Sequence, residues 1–149
     1  MAIKDCCSTE VITCDADASV PEVANLMRTH HVGDVIVVED RAGKRMPLGI
    51  VTDRDLVLEG IAVGLDVKVF TAGDLMTSPL VTVDADEGIF ETLRVMSKHQ
   101  VRRIGVTGVS GALHGVVCAD DLINLLVKEL AALSSALVEQ PMKESSVRK

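Results

Sequence analysis

Aromatic side chains are almost missing: 149 residues include two Phe, no Trp and no Tyr. That removes the stacking platform on which single-stranded nucleic acid is held. Basic charge is also short, with 15 Lys plus Arg against 22 Asp plus Glu and a formal charge of −7. A uniformly basic footprint for a nucleic-acid backbone is absent, although a local phosphate pocket is still allowed. No apolar run is long enough to cross a bilayer. The opening MAIKDCCSTEV lacks the apolar stretch of a signal peptide, so the cytoplasm is the expected compartment.

Metal and catalytic patterns are equally sparse. The four cysteines, Cys6, Cys7, Cys14 and Cys118, form no CxxC pair, and no clustered histidines complete a zinc set. His30, His31 and His99 fall near predicted helix ends, where the C-terminal dipole accounts for a cation. No nucleophile, base and orienter stand together, and paired carboxylates amount to solvated Asp and Glu. The expectation is a protein without a catalytic residue, a metal or a cofactor.

Apolar material is plentiful: 48% of the residues are hydrophobic, nearly all Val, Leu, Ile, Ala and Met. β-branched residues suit short strands, and Leu, Ala and Met suit the helices that face them. The dominant signal is a duplication. Val11-Ile12-Thr13-Cys14-Asp15-Ala16-Asp17 falls on Leu80-Val81-Thr82-Val83-Asp84-Ala85-Asp86 at an offset of 69, and Met27 meets Met96 and His30 meets His99. After a turn three residues shorter in the second copy the offset is 66, so Gly49-Ile50-Val51 meets Gly115-Val116-Val117 and Asp55 meets Asp121. An ordered series of such matches marks a repeat.

Each copy predicts strand, helix, strand, strand, helix, an α+β chain of two βαββα repeats. The first strands are Val11 to Cys14 and Leu80 to Val83. Val20, Val23, Ala24 and Met27 share one helix face, as do Phe90, Leu93 and Met96. Ser19 and Glu22 predict a capping box with Pro21 in the first turn, and Asp86 is the expected cap in the second copy. Strands follow at Asp34 to Val38 and Leu48 to Thr52, then at Ile104 to Thr107 and Leu113 to Val117, joined by turn-forming links. Closing helices begin near Arg54 and Asp120, the second running through Leu130, Leu133 and Leu137. The expected divisions are 5–60, a connecting segment 61–73, a second repeat 74–138 and a flexible tail 139–149 containing Pro141.

Chemistry concentrates where each copy turns from a buried strand into its closing helix. Such a mouth exposes amides that welcome phosphate. In the first copy the Thr52 hydroxyl can donate to a phosphate oxygen, and Asp55 can accept two ribose hydroxyls. Arg54 either supplies charge to a polyphosphate or faces solvent. Thr52 and Asp53 either cap the helix alone or cap it beside a ligand. In the second copy Cys118 replaces the hydroxyl with a weak thiol donor, and Asp120 reverses the charge of Arg54, while Asp121 keeps the acceptor. The two sites are therefore unequal. Arg102 and Arg103 either form a solvated pair or reach a phosphate held elsewhere. Adjacent residues on a strand point to opposite faces.

With these features, residues 5 to 138 resemble a tandem CBS-domain pair, or Bateman module. The resemblance rests on the duplication, on Asp74-Leu75-Met76-Thr77 ahead of the second copy's strand, and on the two Gly-x-x-(Thr/Cys)-x-x-Asp segments. It implies two repeats about a pseudo-twofold axis, and a cleft between them for AMP, ADP, ATP or S-adenosylmethionine. Asp55 and Asp121 would hold ribose and Thr52 phosphate, with the backbone around Thr13, Cys14, Val35, Thr82 and Ile104 enclosing adenine. It further implies a homodimer regulating a client protein in trans. The alternative is a structural or protein-interaction module whose pockets hold no ligand.

Overall fold

Period-two burial in the strands and capped amphipathic helices organise the chain into two like halves, for which a computed structural model describes residues 1–147. The first half contains β1 (Thr13–Cys14), α1 (Val20–His30), β2 (Asp34–Arg41), β3 (Lys44–Thr52) and α2 (Asp53–Asp55), which continues as π-helical turns over Leu56–Ile61. After α3 (Ala72–Leu75) the second contains β4 (Thr82–Asp84), α4 (Ile89–His99), β5 (Arg103–Thr107), β6 (Leu113–Cys118) and α5 (Ala119–Val147). The strands form sheets β1-β2-β3 and β4-β5-β6, each with its first pair parallel and its second antiparallel. Register shifts at Val37/Val38 and at Val106/Thr107, the same place in both copies.

The capping box forms as expected: the Glu22 amide donates to Ser19 Oγ at 3.3 Å, and the Ser19 amide donates to the Glu22 carboxylate at 2.6 Å. These hydrogen bonds hold the Glu22 pKa below its ordinary value. Two expectations for the second copy are corrected. Gly88, not Asp86, precedes α4, and Asp86 forms an ion pair with Lys4 instead. Phe90 lies exposed, while Thr92 is fully buried with its hydroxyl donating to the Gly88 carbonyl at 3.0 Å. Satisfying that hydroxyl locally lets a polar residue turn inward. α5 continues past Pro141 to Val147, over most of the segment assigned from sequence to the tail. A proline removes one main-chain donor without forbidding helix on either side. The rest of the tail, 148–149, lies outside the described residues.

Alternation along β2 explains how the halves meet. Val35 and Val37 point to α1 and join Val23, Met27 and Val51 in one core. Ile36 and Val38 point the other way and pack with Leu80 and Leu113 from the second repeat. Ile104, Val106, Val117, Leu122 and Met96 form the equivalent core there.

The two repeats also exchange their leading segments. Ile3 is buried in the second repeat's core, its amide donating to the Glu87 carbonyl at 2.7 Å. Ser8 and Val116 then bond in both directions at 2.9 Å. Reciprocally, Ala72 enters the first repeat's core, and Thr77 bonds with Ile50 at 2.9 and 3.0 Å. Gly49 and Gly115 admit these leaders. A Cβ on either would stand 2.6 Å from the Thr77 or the Ser8 carbonyl oxygen respectively.

Candidate functional site

Capping fixes both strand-to-helix junctions. In the first repeat the Asp55 amide donates to Thr52 Oγ1 at 3.1 Å, and the Thr52 amide donates to Asp55 Oδ2 at 2.9 Å. The Asp53 amide donates to the Gly33 carbonyl at 2.9 Å, and that of Arg54 to Asp53 Oδ1 at 2.8 Å. All three α2 amides are thus occupied, which corrects the expectation of a mouth rich in free amides. An anion here meets side chains.

The second junction repeats the pattern with sulfur in place of oxygen. The Asp121 amide donates to Cys118 Sγ at 3.4 Å, an ordinary length for the larger sulfur atom. The Cys118 amide reaches Asp121 Oδ2 at 3.4 Å against 2.9 Å in the first copy, and the Cys118 thiol donates to the same oxygen at 2.8 Å. Burial, followed by this hydrogen bond to Asp121, pushes the Cys118 thiol pKa up. The Ala119 amide donates to the Arg102 carbonyl at 2.8 Å, mirroring Asp53 and Gly33. That tie holds Arg102 beside α5, where its guanidinium meets Asp120 at 3.0 Å.

Asp34 and Arg103 occupy equivalent positions in the two copies and pair at 2.8 Å between Nε and Oδ1. Burial raises the Asp34 pKa, the Arg103 cation opposes that rise, and the Asp53 carboxylate adds to it.

Two clefts flank this pair. The larger, of about 490 Å³, is lined by Ile50, Thr52, Asp53, Arg54, Asp55, Thr77, Val101, Arg102, Arg103, Cys118 and Asp120. The smaller, of about 180 Å³, is lined by residues that include Ser8, Glu10, Val32, Asp34, Arg103, Val116, Cys118 and Asp121. Their linings correspond across the duplication: Thr77 with Ser8, Val101 with Val32, Ile50 with Val116 and Asp55 with Asp121. Three arginines face the larger cleft. Of these, Arg102 and Arg103 are paired, and Arg54 makes no ion pair among the described residues. The smaller has Glu10, Asp34 and Asp121 against Arg103 alone.

Six of the predicted site residues, Thr52, Arg54, Asp55, Arg102, Arg103 and Cys118, therefore line one cleft, and Asp121 lines its counterpart. Arg102 and Arg103 share the cleft despite adjacency because β5 begins only at Arg103. Cys14 lines a separate acidic cleft with Asp15, Asp17 and Glu22, its thiol pKa raised to about 11, chiefly by burial. Thr13, Val35, Thr82 and Ile104 line neither of the paired clefts. Asp34 was missed as a site residue. Its signal was opposite charge at the position matched to Arg103.

Among the described residues no group of three or more His, Cys, Asp or Glu is placed to hold a metal ion. No described helix is long and apolar enough to cross a membrane.

The CBS domain model matches residues 3–60 and 72–128. Hypoxic response protein 1 of Mycobacterium tuberculosis is 34% identical over 136 residues, spanning 91% of this chain and 92% of that protein. The crystal structure of Hypoxic Response Protein I, which has two coordinated zinc ions, matches with a TM-score of 0.72 and 32% identity over 83% of this chain and 98% of that one. A CBS domain protein from Pyrobaculum aerophilum, complexed with AMP, matches with a TM-score of 0.76 and 25% identity over 89% of this chain and 99% of that one.

Proposed function

The chain belongs to the CBS domain family, and we propose that it is a non-catalytic regulatory module whose larger inter-repeat cleft binds an adenosine-containing ligand of the AMP, ADP, ATP or S-adenosylmethionine class. One observation carries this reading: Arg54, Arg102 and Arg103 converge on a cleft that also holds Thr52 and Asp55. Cations for an anion and acceptors for a sugar lie within one concave site. Capping uses Asp55 Oδ2, so Oδ1 is the oxygen that receives ribose hydroxyls. The Thr52 hydroxyl accepts from the Asp55 amide and still has its own proton to donate to phosphate. The residues that the family resemblance implies around adenine, Thr13, Cys14, Val35, Thr82 and Ile104, lie outside this cleft and take no part in the proposed site. The adenosine ligand of the Pyrobaculum aerophilum protein supports the ligand class.

The smaller cleft is a poor receiver of anions, since three carboxylates outnumber its one cation. The module is proposed to act as a homodimer on a client protein in trans.

Isothermal titration with AMP, ADP, ATP and S-adenosylmethionine tests the ligand. Saturable binding by at least one is expected, weakened about 10- to 100-fold by Asp55→Ala, as loss of a charged acceptor predicts. Asp121→Ala should weaken it less. Absence of binding by all four ligands would overturn the sensing role and leave a structural or protein-interaction module.

A further inference from the structure

We propose that the projecting half of α5 pairs with α5 of a second copy of this chain, through a seam of Ile123, Leu126, Leu130, Leu133 and Leu137. This deepens the homodimer reading by placing its interface on a segment that lies mostly beyond the residues matched as CBS domain, which end at 128.

The seam recurs at spacings of three, four, three and four residues. That is the a/d pattern of a coiled coil, held over two heptads. Leu126 is partly buried, but Ile123, Leu130, Leu133 and Leu137 are 55%, 65%, 59% and 63% exposed. Every residue from 127 to 138 is exposed, and Leu130 to Val138 contains no charged side chain. A lone helix in water needs a polar or charged face, and this stretch offers only Ala, Ser and Val138 around its leucines.

A second copy fits this surface better than a lipid bilayer does. An interfacial helix carries Lys or Arg along its polar face, which this stretch lacks. Area also agrees. Side chains this exposed carry roughly 100 Å² of apolar surface each. Five per chain, the exposed members of the seam and Val127, offer about 1,000 Å² in a pair, the threshold for a specific interface. The first repeat adds Val57 and Ile61, the duplication's mates of Ile123 and Val127, also exposed. A twofold pairing would continue the seam onto that face, since an isologous interface uses one patch on both copies.

Sedimentation equilibrium of the full chain and of Leu130→Glu/Leu137→Glu tests this, with circular dichroism to check that the variant is folded. A wild-type dimer and a folded, monomeric variant are expected. A wild-type dimer with an equally dimeric variant would overturn the seam and leave the homodimer reading standing. A monomeric wild type would overturn both. Should the glutamates prevent folding, Leu130→Ala/Leu137→Ala is expected to raise the dimer Kd by about 100-fold or more, and an unchanged Kd would refute the seam.

Discussion

Placing a methyl group on Gly49 should loosen the joint between the repeats. Gly49 has no left-handed φ that would require glycine, so sterics alone set the outcome. The new Cβ would lie 2.6 Å from the Thr77 carbonyl oxygen and 2.8 Å from Met76 Sδ. An ordinary carbon–oxygen contact is about 3.3–3.6 Å, so the segment at Thr77 must retreat by ~0.7 Å or more. The bonds between Thr77 and Ile50, at 2.9 and 3.0 Å, would stretch beyond useful range. Two lost bonds contribute about 1–3 kcal/mol and overpacking about 1–3 more. Alanine's reduced unfolded-state entropy returns about 0.4–1. The net loss is about 2–5 kcal/mol, which for this chain length lowers Tm by about 5–15 °C. Gly115→Ala should behave alike, because its Cβ would meet the Ser8 carbonyl oxygen at 2.6 Å. Gly108→Ala is the control, with nothing within 4 Å of the added carbon and no positive φ. With no Trp or Tyr to report by fluorescence, far-ultraviolet circular dichroism is the assay. A Gly49→Ala melt within about 2 °C of the parent would refute the steric account of this glycine.

Further tests separate charge from packing. The Arg102–Asp120 pair is exposed on both sides, so Arg102→Ala should leave Tm nearly unchanged while weakening ATP binding in calorimetry; an equal loss of both would make the residue structural. Folding raises the Asp34 pKa. The fold therefore disfavours its ionised form, and this group's contribution is best below the ordinary aspartate range and declines as pH rises through the raised value. Stability curves from pH 3 to 7 for Asp34→Asn should lack that decline relative to wild type, and parallel curves would contradict it. At pH 8 about one Cys14 thiol in a thousand is ionised, given a pKa of about 11; peptide mapping after brief iodoacetamide treatment should find it slowest among the four cysteines.

Local periodicity made much of the fold readable in advance. The β-branched runs Val35-Ile36-Val37-Val38 and Ile50-Val51 announced strands, and Ser19 with Glu22 announced a helix start. Duplication joined these pieces into two equivalent units. What escaped was non-local. Nothing near Ile3 says that it will be buried in the core of a repeat beginning some 70 residues later. Nor does Asp86 disclose that it will pair with Lys4. Gly49 and Gly115 were the available hints. Inside a strand, glycine marks a place where another backbone approaches closely, and two at matched positions ask for two approaching segments.

The candidate site divides along the same line. Thr52, Asp55 and their counterparts were legible because one strand-to-helix turn orients them. Arg102, Arg103 and Asp34 depend on how the repeats face one another. A duplicated chain first presents identical side chains to its pseudo-twofold axis, and identical charges facing each other there would repel. Asp34 opposite Arg103 turns that repulsion into attraction. The substitution cannot be symmetric, however: the copy contributing the cation takes its charge to a boundary shared by both clefts. Arg54 and Arg102 bring the larger cleft to three cations against the carboxylates of Asp53, Asp55 and Asp120, while Glu10 and Asp121 leave the smaller with three carboxylates against one cation. A duplication with an opposite-charge pair at its axis therefore has two unequal clefts without any change in backbone topology.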